Sequence, residues 1–152
     1  MEFEENQNTG TMDVLERHQF DTKALTAFME ENVEDFEGPV TVEEFKGGQS
    51  NPTYLVKTQQ QSYVLRRKPP GKLLKSAHAV DREYRVITAL NGTNVPVPKT
   101  FALCENTEII GTSFYLMEFM EGRVLWDPSM TGSSKEEALG VYTSMNSTLA
   151  KL

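Results

Sequence analysis

A single cysteine in 152 residues excludes an internal disulfide framework. That residue, Cys104, sits in FALCEN at what reads as a strand end. A buried, inert thiol is expected there, since a nucleophile would need a base that the pattern does not supply. No apolar run approaches the roughly 20 residues of a membrane span. The opening MEFEENQNTG is acidic and polar, so it resembles neither a secretory signal nor a mitochondrial presequence. These absences set the expectation of an intracellular, non-secreted protein with no membrane contact, the cytoplasm favoured. The chain also lacks net positive charge, standing at −7, which argues against nonspecific nucleic-acid binding. No GxxxxGK[ST] occurs, so there is no Walker A loop.

The acidity is uneven. Residues 1–37 carry 11 acids against 2 bases, whereas residues 38–152 carry 11 against 13. Within that second part, Arg66, Arg67, Lys68, Lys72 and Lys75 fall in ten residues without an acid. Alone, such a run reads as a solvated basic turn; an anion site would need geometric support.

Residues 1–12 show no apolar periodicity and read as a mobile tail. From Asp21, a ready N-cap, Leu25, Phe28, Met29 and Val33 follow helical spacing until Gly38-Pro39. VTVEEF (40–45) alternates, with Val40 and Val42 on one face. TYLVKT (53–58) and SYVLRR (62–67), joined by QQQ, read as a hairpin that Pro69-Pro70-Gly71 stops. AHAVDREYRVITAL (77–90) reads as a helix, with Ser76 as its cap and Asn91-Gly92 as its stop. VPVPKTFALCE reads as an edge strand because of its prolines. TSFYLMEFM is apolar on both faces and reads as a buried central strand. After a loop containing Asp127, a turn residue before proline, residues 134–152 return to helical spacing, with Leu139, Tyr142 or Val141, Met145 and Leu149 on one stripe. The order is α+β, with five antiparallel strands and a packed helix.

Two stretches could carry chemistry. On the second helix, Glu83 shares a stripe with Val80, Ile87 and Leu90, so a carboxylate is turned towards an apolar face. It either reaches water at the stripe's edge or needs a cation. The preceding strand offers Arg66, with Arg67 on the opposite face. In GGQSNP, Gly47 and Gly48 permit close ligand approach, and Ser50 and Asn51 add hydroxyl and amide donors. The same glycines also suit an ordinary hairpin turn.

GGQSNPTY, YVLRRKPPG, SAHAVDREYRVITAL, VPVPKTFALCE and FYLMEFMEG, in this order over about residues 40–125, resemble the N-terminal lobe of the aminoglycoside phosphotransferase and choline-kinase-like family, itself distantly similar to protein kinases. The wording most resembles the kinase-like domain of acyl-CoA dehydrogenase family members ten and eleven. The resemblance implies a lobe over residues 13–122, with residues 123–152 forming a linker and the start of a second, truncated lobe. It implies an ATP site. Gly47 and Gly48 would lie over the phosphates, with Ser50 near the β-phosphate. Arg66, often Lys in the family, would grip the α- and β-phosphates, and Glu83 would position it. Met117 would guard the back of the adenine pocket, and the backbones of Glu118 and Met120 would bind adenine.

The family's catalytic and Mg²⁺-binding carboxylates come from a His-Gly-Asp type motif and a later Asp motif. Neither is present, and neither His18 nor His78 is followed by Gly-Asp. The chain therefore reads as the nucleotide-binding part of an ATP-dependent small-molecule kinase acting on a hydroxyl, its partner being the missing lobe or a downstream dehydrogenase domain. The alternative is a catalytically inactive binding or regulatory module. Either expects an exposed apolar face for the second lobe. The final Ala-Lys-Leu resembles a Ser-Lys-Leu peroxisomal address, though within a helix coincidence is the better reading.

Overall fold

A computed structural model describes residues 9–47, 50–71 and 79–152. The described elements are β1 (Thr11–Met12), a 3₁₀ turn (Glu16–His18), α1 (Thr22–Asn32), β2 (Thr41–Phe45), β3 (Thr53–Lys57), β4 (Ser62–Arg67), α2 (Val80–Leu90), β5 (Thr100–Cys104), β6 (Phe114–Glu118) and α3 (Lys135–Leu149). The strands form one antiparallel sheet in the order β1-β2-β3-β4-β6-β5.

That is six strands, not the five expected. The extra one lies in the supposed tail, where Thr11 pairs with Phe45 and Met12 with Glu44. Two residues are too short for alternation to be visible, so the strand exists by pairing rather than by pattern. Residues 1–8 of that segment lie outside the described residues. The hairpin forms as expected, with Arg66 opposite Thr53. β6 is the inner strand between β4 and β5, and β5 is the edge.

Period-two alternation gives the sheet two distinct faces. One carries Tyr54, Val56, Tyr63, Leu65, Phe114 and Leu116 and packs against Leu25 and Met29 of α1 to make the main core. Leu25 and Met29 are fully buried, worth roughly 2–3 kcal/mol each. Asp21 caps α1, its carboxylate accepting from the N–H groups of Lys23 and Ala24. The other face carries Leu55, Val64, Arg66, Tyr115 and Met117, and α2 contacts it along β5 and β6.

Among the described residues α2 begins at Val80, with Ala79 at its cap position and no side-chain cap; residues 77 and 78 of the expected helix lie outside the described residues. The expected cap, Ser76, lies outside the described residues. Asn91 and Gly92, the latter at φ +83°, end the helix as expected. α3 is capped by Ser134, which accepts from Glu137 N–H. Its stripe of Leu139, Tyr142, Met145 and Leu149 is exposed, as are Val124, Leu125 and Trp126. No helix among the described residues is long and apolar enough to cross a membrane.

Candidate functional site

Arg66 on β4 and Glu83 on α2 meet above the second face of the sheet. The Arg66 Nε–H donates to Glu83 Oε2 at 2.7 Å, and its Nη2 lies 3.5 Å from Glu83 Oε1. Three further groups hold the pair. Tyr115 Oη donates to Glu83 Oε2 at 3.2 Å, and Asn51 Nδ2 donates to Oε1 at 3.1 Å. Arg66 Nη1 donates to Thr53 Oγ1 at 3.3 Å. Cross-strand register explains the set, because Arg66 is flanked by Thr53 on β3 and Tyr115 on β6. Of the two readings of Glu83, water at the stripe's edge or a cation, the structure gives the cation.

The pair is only partly withdrawn from water, the two side chains being 30% and 35% exposed. Its contribution to stability is small, because solvent screens it. Its geometry matters more. A guanidinium has five N–H donors in a rigid fork. Among the described residues, three meet protein acceptors and two remain for a ligand. Tyr115 stays a phenol well above its ordinary range, raised by burial and then by the Glu83 carboxylate, with Arg66 opposing.

Two clefts meet at this guanidinium. One is lined by Ser50, Asn51, Arg66, Arg82, Glu83, Tyr115 and Met117. The other, about 730 Å³, is lined by Phe45, Gly47, Val64, Arg66, Met117, Glu118, Phe119, Met120, Val124 and Trp126, with Thr9 and Gly10 at its wall. Arg66 and Met117 belong to both. The result is a groove with Arg66, Arg82 and Glu83 beside Val86 and Ile87 at one end and a more apolar lining at the other, within the size range of small-molecule sites.

Of the residues expected to bind nucleotide, Gly47, Ser50, Asn51, Arg66, Glu83, Met117, Glu118 and Met120 all line this groove. Gly48 lies outside the described residues. Asn51 is buried, and its amide supports Glu83. The Glu118 N–H donates to Lys99 O at 2.8 Å, so it is held within the sheet. Sequence reasoning missed Thr53, Tyr115, Arg82 and Phe45. Register with Arg66 would have found the first two, and Arg82 is the helix neighbour of Glu83.

Arg67, grouped above with the basic run, belongs elsewhere. It is 2% exposed, on the α1 face. It donates to Tyr54 Oη at 2.9 Å, Ile110 O at 3.1 Å and His18 O at 2.7 Å. Its guanidinium also lies over the Phe20 ring. Tyr54 is pushed up to about 12 by burial, with Arg67 pulling the other way. Lys72 and Lys75 lie outside the described residues; among the described residues of that run, Arg66 is the cation that lines the groove. Cys104 is buried near Asn106 O, and burial pushes its thiol up, away from the reactive thiolate. Among the described residues no group of three or more His, Cys, Asp or Glu is placed to hold a metal.

Known proteins share this architecture. A crystal structure from Ralstonia eutropha JMP134, assigned as an aminoglycoside phosphotransferase, superposes with a TM-score of 0.75 at 50% identity, over 88% of this chain and 38% of that one. Acyl-CoA dehydrogenase family member 11 of Rattus norvegicus is 43% identical over 93% of this chain and 19% of its own length. The probable acyl-CoA dehydrogenase IBR3 of Arabidopsis thaliana is 48% identical over 89% of this chain and 17% of its own. The chain thus spans under a fifth of these longer relatives. The sheet, α1 and α2 match a kinase-like N-terminal lobe. The family model for the phosphotransferase enzyme family matches residues 41–152. The chain belongs to the phosphotransferase enzyme family.

Proposed function

We propose that this chain is the nucleotide-binding lobe of an ATP-dependent phosphotransferase that moves a phosphoryl group to a hydroxyl. The observation that carries this reading is the Arg66–Glu83 pair set at the junction of the two clefts. Phosphoryl transfer relies on positioning and charge stabilisation more than on covalent help from the protein. Arg66 fits the positioning role, since Glu83 takes one edge of its fork and leaves donors for phosphate oxygens. Met117 and the apolar cleft suit adenine, with the Glu118 carbonyl and Met120 backbone at its rim.

ATP would supply the γ-phosphoryl group, and Mg²⁺ would supply positive charge to offset that of the phosphates. The carboxylates that hold Mg²⁺ and receive the hydroxyl proton are assigned to sequence beyond this chain, in a second lobe. The same lobe would cover the exposed residues of α3 and of the segment from Val124 to Trp126. The dehydrogenase relatives suggest a longer polypeptide with a downstream dehydrogenase domain. A cytoplasmic site is the working assumption, with the peroxisome as the alternative.

Calorimetric titration with ATP tests the reading. Glu83→Ala releases Arg66, and affinity should fall about tenfold, the scale of one charge-assisted contact. Unchanged affinity in the variant would remove the pair from the nucleotide site.

A further inference from the structure

β2 carries two adjacent glutamates, and alternation sends them to opposite faces of the sheet. Both hold the N-terminal segment. Glu44, 5% exposed on the core face, accepts from the Leu15 N–H at 3.1 Å and meets His18 Nδ1 at 2.7 Å. Glu43, on the cleft face, accepts from the Thr11 hydroxyl and from Lys57 Nζ. The backbone of the turn is fixed as well, because the His18 carbonyl accepts from Arg67 and from Tyr54 Oη. Between these anchors β1 pairs with the outer edge of β2. At its far end, Gly10 O accepts from the Lys46 N–H at 3.1 Å, one residue before Gly47. There Thr9 and Gly10 enter the wall of the apolar cleft.

We propose that the segment from Thr9 to Gln19 is a strap that positions the apolar end of the groove. Glu43 and Glu44 clamp it from the two sides of the sheet. Its role is to fix the end of β2, where Phe45 lines the cleft, and to complete the wall that a nucleobase would meet. No residue of the strap lines the cleft that holds Glu83, so it should discriminate between ligands. It should act on those that carry a base and not on bare polyphosphate. This specificity role rests on the nucleotide reading given above.

The test uses the full chain with Met12→Pro, which removes a donor from the β1–β2 pairing and leaves the central strands untouched. Amide exchange at Lys46 should rise about tenfold while β4 and β6 keep their protection. Affinity for ATP should fall about fivefold, the scale of one lost net hydrogen bond, while affinity for inorganic tripolyphosphate stays unchanged. Equal loss for both ligands, or unchanged ATP affinity, would overturn the proposal. Should Met12→Pro disturb the central strands, Glu43→Ala, which leaves the core face alone, is judged by the same ratio of affinities. Failure of the wild-type chain to bind either ligand would count against the nucleotide reading itself. The clamp would then stand on faster Lys46 exchange in the variant and fall on unchanged exchange.

Discussion

Arg66 and Arg67 are neighbours with opposite roles, and the pleat of β4 separates them. Arg66 faces the groove with a carboxylate on one edge of its fork. Arg67 is sealed among three oxygen acceptors and an aromatic ring. Among the described residues no carboxylate hydrogen-bonds it, and two carbonyl oxygens and one hydroxyl accept from it instead. Removing it would strand buried acceptors. Arg67→Met should therefore lower stability by about 3 kcal/mol and Tm by about 10 °C, read by thermal unfolding. A drop under about 2 °C would show that those acceptors find other partners. The opposite faces of the two arginines were legible from alternation. The burial of Arg67 was not, because its acceptors lie 13, 43 and 49 residues away in the chain.

At the scale of elements, the long periodic segments were legible, including α1 with its Asp21 cap and the β3–β4 hairpin. β1 was not, since it depends on side-chain anchors on another strand rather than on its own pattern. Those anchors make it sensitive to acid. Hydrogen bonds from Lys57 and then Thr11 hold the Glu43 carboxyl below its ordinary value of 4.5, with burial opposing. A folded value below the unfolded one means that the clamp contributes fully above about pH 4.5 and is lost as pH falls through the lower folded value. The pair is exposed and screened, so its worth is under about 1 kcal/mol. Wild type should exceed Glu43→Gln in Tm by about 1–2 °C at pH 6, and the two should converge well below pH 4. A gap that persists in acid would assign the difference to packing rather than to charge.

The whole molecule is a sheet with a division of labour. One face is a core closed by α1. The other, covered in part by α2, leaves the groove open. Part of the groove was legible because a cation on β4 was one of two readings for Glu83 on its apolar stripe, and the Arg66 contact decides between them. Its inner support from Thr53 and Tyr115 required the strand register, which pattern alone does not set. The apolar residues of α3 and of Val124 to Trp126 are exposed, and under the proposed reading a second lobe would cover them. Nucleotide recognition is the claim on which the rest depends, and Arg66 is where base and phosphate would meet. The most direct measurement is the affinity of adenosine, ADP and ATP for the wild-type chain and for Arg66→Met. The account predicts that wild-type affinity rises with each added phosphate while the variant binds all three alike and weakly. A variant that keeps the full rise would contradict it, because the phosphates would then be held by something other than Arg66.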